Sequence, residues 1–233
     1  MAELVYAADL KSAGPTARAG SIPACATINK KRKTIVMIVG CIYESSSMMT
    51  AYHGTTAKFE AFDLSKAHTG EGATMYGYGV YVTTNEKTAL HYMKVAMRTN
   101  KKDEGYVLTV QIPENNGKDY LNIEKNDPKV YDYLIQGLSK LRPDAKDGIK
   151  MCMEYCKEND SLMWLFQNHC DYSFTEEELA ELLQKLGFLG IRIPVGYRES
   201  GMGQYEGFNY VLFDAKNVHI INSKHYIAKE IEK

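Results

Sequence analysis

Apolar positions in this chain recur with two different periods, and the switches between them mark out its elements. Thr50-Ala51-Tyr52-His53 reads as a short strand broken by Gly54, followed by a loop carrying Phe59, Phe62 and Asp63. Val80-Tyr81-Val82-Thr83 reads as a second strand with β-branched side chains. Thr84 or Asn85 then caps a helix in which Ala89, Tyr92, Met93, Ala96 and Met97 recur at helical spacing, so one of its faces is expected to be buried. Tyr106 to Ile112, closed by Pro113, has the character of a core strand. From Asp127-Pro128, an N-cap with proline at the first helical position, the pattern is helical to about Phe166, with breaks at Pro143 and Asn159. Thr175 to Glu178 forms a capping box opening a helix whose Leu179, Leu182, Leu183 and Leu186 make one stripe, ended by Gly187. Residues 190–193, 208–213 and, more briefly, 218–221 read as closing strands, with a glycine-rich loop between the first two.

Strands at both ends with helices between them predict an α+β domain over residues 48–233, carrying a helical insertion at about 120–186. That order excludes a standard dinucleotide fold. Gly77-Tyr78-Gly79 is only a fragment of Gly-x-Gly-x-x-Gly and lacks the phosphate-binding helix in register.

Residues 1–47 read differently, as a disordered stretch or an N-terminal extension from a misplaced start. Met1 to Thr27 spread Ala, Gly, Pro and Ser without helical or strand periodicity and are expected to be disordered. A transfer-RNA gene read in this frame would look the same. Gly20-Ser21-Ile22-Pro23 can be encoded by the T-arm sequence GGTTCGATTCC, and Ala8 to Ala13 by GCGGATTTAAAATCCGC, whose ends are complementary. On that reading the stretch is an extension from a misplaced start, the protein begins at Met37, Met48 or Met49, and its gene lies beside a tRNA, where phages and other mobile elements insert. Lys30-Lys31-Arg32-Lys33 and the apolar run to Cys41 imitate a lipoprotein signal, with an apolar stretch at the short limit. A cytoplasmic location is the expectation, with secretion or lipid anchoring as the alternative.

With 233 residues, 45% of them hydrophobic and 24% charged, the chain can bury one sizeable core. A formal net charge of −1 provides no overall field toward nucleic acid or acidic membranes. No apolar run approaches the ~20 residues that span a bilayer. Five cysteines make an odd, sparse set, and Cys152 and Cys156 at i,i+4 fit neither a zinc spacing nor a disulfide framework, so reduced core thiols and no metal are expected.

Three short elements carry the candidate chemistry: Tyr52-His53-Gly54-Thr55, Gly77-Tyr78-Gly79-Val80-Tyr81 and Ala89-Leu90-His91-Tyr92. Together they resemble the His-Gly, Gly-x-Gly-Ile-Tyr and Ala-x-x-Tyr elements of diphtheria-toxin-like and poly(ADP-ribose)-polymerase-like ADP-ribosyltransferases, and most of all the small transferase domains of phages and mobile elements. The resemblance runs from about Met48 to Tyr92 and resumes from Leu183 to Ile221, leaving the helical middle unaccounted for. It implies a split β-sheet core and NAD as co-substrate, cleaved at its N-glycosidic bond. A site for that reaction must hold nicotinamide still and stabilise positive charge developing on the ribose. By resemblance, His53 serves the ribose, Gly54 the carboxamide beside Thr55, Tyr81 stacks on nicotinamide and Tyr92 flanks the other ring face. Ala89 stands where the polymerases carry a serine that touches the carboxamide.

The carboxylate departs from the pattern. Asn209-Tyr210-Val211-Leu212-Phe213-Asp214 aligns with the polymerase strand so that Asn209 occupies the place of the catalytic glutamate. Glu206 is the expected substitute, since Gln204-Tyr205-Glu206 also looks like the Gln-x-Glu of clostridial-type toxins, and Glu199 is a further candidate. The implied activity is transfer of a single ADP-ribose to a protein acceptor, as in host modification, defence or a toxin. NAD hydrolysis and NAD or ADP-ribose binding without chemistry are the alternatives. The helical middle has no basic stripe, which makes a nucleic-acid acceptor the weaker option.

Overall fold

The computed structural model describes residues 34–38, 41–45, 47–66, 76–196 and 206–228. The expected disorder of Met1 to Thr27, the basic run Lys30 to Lys33, and Glu199, Gln204 and Tyr205 lie outside them. The chain divides into two units between Ser46 and Ser47. In the first, β1 (Thr34–Ile38) pairs antiparallel with β2 (Cys41–Ser45), with Ile38 opposite Cys41, so the apolar run read as signal-like contributes a β-hairpin.

The second unit is an α+β domain with a seven-stranded mixed sheet and five α-helices. In chain order its elements are β3 (Met48–Thr55), β4 (Val80–Thr83), α1 (Glu86–Thr99), β5 (Glu104–Pro113), β6 (Tyr120–Asn122), α2 (Pro128–Leu141), α3 (Lys146–Glu158), α4 (Met163–Tyr172), α5 (Glu176–Lys185), β7 (Gly190–Pro194), β8 (Phe208–Leu212) and β9 (His219–Ile227). The strand order is β6-β7-β8-β4-β3-β5-β9. Only β6 and β7 run parallel, and the chain between them is the helical insertion α2 to α5. Parallel neighbours need such a crossover, so the insertion and the parallel pair are one feature.

Local chemistry starts the helices where the sequence indicates. Asn85 caps α1, accepting from the Lys87 N–H at 2.9 Å and the Thr88 N–H at 3.3 Å. Asp127 caps α2 ahead of Pro128, and the Thr175–Glu178 box closes in both directions on α5. Each such cap stabilises its helix by about 1 kcal/mol.

Strand alternation then sorts the core. On β8, Val211 packs with the insertion around Leu138, Ile149, Met153 and Leu183, while Tyr210 and Leu212 face the opposite cluster of Ala51, Val82, Val110 and Ile112. A third cluster of Ala89, Met93 and Met97 seats α1 on Val107 of β5. Cys152 and Cys156 are free thiols buried in the insertion core, and the contact with Cys152, with burial second, pushes the Cys156 thiol far up. No helix among the described residues is long and apolar enough to cross a membrane.

Four elements differ from the sequence reading. β3 continues through Gly54 to Thr55, α4 extends past Phe166 to Tyr172, β6 is an additional short strand, and β9 runs to Ile227 rather than Ile221. Gly54 is needed for close approach, because a Cβ there would lie 2.0 Å from the Ala89 carbonyl oxygen and 2.7 Å from the Met93 nitrogen of α1. Gly54→Ala therefore has to separate β3 from α1 and should cost about 3 kcal/mol, at the upper end of core overpacking. Urea denaturation checks this; an unchanged midpoint would show that the two backbones are not in contact.

Candidate active site

The three motifs converge where the sheet is least continuous. β3 pairs with β5 along its whole length from Met48 to Thr55, and β4 pairs with β8 from Val80 to Thr83. Between β3 and β4 the pairing consists of Tyr52 opposite Thr83. Immediately beyond that pair, the His53 Nδ1 lies 2.7 Å from the Tyr81 carbonyl oxygen. A carbonyl can only accept, so Nδ1 carries the proton. Burial holds the His53 pKa below its ordinary 6.5, outweighing the opposing effect of the Tyr81 hydrogen bond. The ring is thus neutral, with the Nε2 lone pair available to a hydroxyl donor. Phe62 meets it edge-on at 5.1 Å and Phe59 at 6.2 Å, and these two rings contact each other at 5.0 Å.

Tyr81 organises the loop before its own strand. Its hydroxyl donates to the Gly77 carbonyl at 2.7 Å and accepts from the Tyr76 N–H at 3.2 Å, and burial drives its pKa up, keeping the phenol protonated. Gly77 has φ +94°, a conformation that favours glycine. Tyr78 is half-buried and donates to the Leu64 carbonyl at 2.9 Å.

Tyr92 projects from α1 toward β8, where the Asn209 Nδ2 stands 3.5 Å from its hydroxyl oxygen. Asn209 pairs with Thr83 on one side and Ile193 on the other, so Tyr52, Thr83, Asn209 and Ile193 form a row across four strands. Asn209 is 8% exposed, and its Oδ1 is buried without a hydrogen-bond partner among the described residues. A buried amide oxygen left in that state costs about 1–3 kcal/mol unless a ligand donor reaches it.

Glu206 enters through its backbone. Its carbonyl accepts from the Asn85 Nδ2 at 2.7 Å, and two residues later Phe208 exchanges bonds with Thr84, N–H to Oγ1 at 3.0 Å and carbonyl from the Thr84 N–H at 2.9 Å. The Glu206 side chain is exposed at the N-terminal end of α1. Thr55 ends β3 with its hydroxyl accepting from the Ala57 N–H at 3.1 Å. His53 and Tyr81 are therefore in direct contact, Tyr92 and Asn209 approach one another, and Gly54 lies against the α1 backbone. The contacts that fix Glu206 and Thr55 belong to the loop geometry instead.

Three contributors, Asn85, Phe59 and Phe62, were not visible as site residues in the sequence. Asn85 caps α1 and also holds the Glu206 backbone, while Phe59 and Phe62 surround His53. A cap was evident at 84–85 and the two aromatics stood out in their loop, but what they contact depends on chain folding. No family model matches this chain, and neither a curated protein nor a solved structure matches it.

Because the folded pKa of His53 is depressed, its neutral form contributes stability that is full above pH 6.5 and is lost as pH falls through the folded value. Imidazole nitrogen NMR should place the His53 titration below 6.5; a midpoint at or above 6.5 would contradict the desolvated, Nδ1-protonated ring. Asn209→Leu should raise stability by about 1 kcal/mol by removing the unpartnered acceptor, and a destabilised variant in thermal unfolding would mean that Oδ1 is satisfied.

Proposed function

We propose that this chain is a mono-ADP-ribosyltransferase whose β3/β4 seam is the NAD site of an ADP-ribosyltransferase-like split sheet. The observation that carries the reading is His53 donating to the Tyr81 carbonyl just past the Tyr52–Thr83 pair, with Tyr92 and the unpartnered Asn209 oxygen on the adjoining strand and helix. This arrangement supports the roles implied by the resemblance. NAD supplies a cleavable ribosyl–nicotinamide bond, whose electron pair leaves with nicotinamide as the acceptor nucleophile takes the ribosyl carbon. His53 Nε2 accepts from a ribose hydroxyl, Tyr81 and Tyr92 restrain the leaving group, and the Asn209 oxygen receives an amide or hydroxyl donor. The Glu206 carboxylate, on a loop anchored by Asn85, offsets developing positive charge and takes up the acceptor proton.

Asn209 itself favours a second reading. A neutral amide cannot offset charge, so a module that binds NAD without cleaving it is the alternative if Glu206 does not reach the ribose. Hydrolysis with water as acceptor uses the same pocket.

Labelled NAD incubated with the protein and a lysate should yield free nicotinamide and covalent label. Tyr81→Ala and Glu206→Gln should each lower both signals at least about 100-fold, the scale of a lost charge-stabilising or general-base group. Nicotinamide without covalent label would favour hydrolysis, and NAD binding without either product would favour the binding module.

A further inference from the structure

The helical insertion carries an exposed aromatic patch outside the seam. Tyr155 of α3 and Trp164 of α4 are 46% and 40% exposed, with ring centroids 4.8 Å apart and planes tilted by 46°. Met151, one helical turn before Tyr155, is 55% exposed. The exposed charges of α3 are mixed, and those on the helix rows nearest Met151 are carboxylates. Asp147, Glu154 and Glu158 lie four residues before, three after and seven after Met151, which places them in the same exposed row. Lys150 and Lys157 leave the helix on the flank away from Tyr155, Lys150 reaching Glu154 at 3.8 Å and Lys157 reaching Asp132 at 3.3 Å.

Two aromatic faces, a pliable methionine and a carboxylate row together fit a cationic side chain with apolar neighbours. The rings attract a guanidinium or ammonium through their quadrupoles, the carboxylates pair with it, and methionine adapts to what lies beside it. The same row repels a phosphate backbone or an anionic lipid surface. We infer that Met151, Tyr155 and Trp164 form a docking site for a Lys/Arg-rich peptide segment of a protein partner. On the transferase reading that segment belongs to the acceptor protein, and only this assignment, not the binding itself, rests on that reading.

Trp164 is the single tryptophan of the chain, so its fluorescence reports this patch alone. Titrating the full chain with a nona-arginine peptide at low salt, without NAD, should give a saturable change in emission that nona-glutamate does not produce. Removing the carboxylates with Glu154→Gln plus Glu158→Gln should weaken the apparent affinity about fivefold, and Tyr155→Ala about threefold, as expected for exposed ion pairs and cation–π contacts. The substituted side chains are exposed, so the variants should retain the unfolding midpoint of the parent. An emission spectrum indifferent to nona-arginine, an equal response to nona-glutamate, or an unchanged affinity in the double variant would overturn the inference. Because no NAD is present, peptide binding and NAD turnover can each fail without the other.

Discussion

Backbone pairing between β3 and β4 is confined to Tyr52 and Thr83, and the His53 imidazole supplies the next link by donating to the Tyr81 carbonyl. A backbone oxygen turned away from water needs a donor, and for this half-buried carbonyl a side chain provides it in place of a strand N–H. The consequence is that three properties are set together. The imidazole tautomer is fixed, Nε2 is left with a lone pair, and the two strands need not stay in register beyond the pair. A seam of this kind can admit a flat ligand without breaking a hydrogen-bonded ladder. The cost of holding it open falls on neighbouring contacts: β5 zipped along β3, β8 along β4, and the α1 backbone against Gly54.

The insertion supports the same site from the other end of the sheet. It closes the crossover between β6 and β7, and β7 in turn fixes β8, whose Asn209 reaches toward Tyr92. Tyr81 and Tyr78 pack against the insertion core, so the helices steady the glycine loop at Gly77 as well as presenting Met151, Tyr155 and Trp164 outward. On the docking proposal, stability and partner contact would be carried by opposite faces of the same helices.

What could be read in advance was what local chemistry decides. Asp127-Pro128 and the Thr175–Glu178 box announced their helices because capping is settled within a few residues, and the α1 stripe of Ala89, Met93 and Met97 followed from its period. β6 escaped because three residues carry no usable period. The length of β9 escaped because nearly all of its residues are exposed, leaving no alternation to follow. Gly54 looked like a strand breaker since its true neighbour, the α1 backbone, lies thirty-odd residues away along the chain. Among the candidate site residues, His53, Tyr81 and Tyr92 were singled out by the pattern they form together; spacing alone did not pick them. The hydrogen bond that joins His53 to Tyr81, the Phe59 and Phe62 rings around it and the register that puts Asn209 beside Thr83 are products of folding.

The central claim is that the neutral His53 ring faces an NAD molecule across the seam, and its own nitrogen atoms are the most direct witness. Long-range proton–nitrogen spectra of the protein labelled at its six histidines, recorded as NAD is added, resolve both nitrogens of each ring. The account predicts a saturable shift of the His53 Nε2 resonance on accepting a ribose hydroxyl, with Nδ1 still protonated. A His53 ring unmoved on both nitrogens at saturating NAD would contradict it.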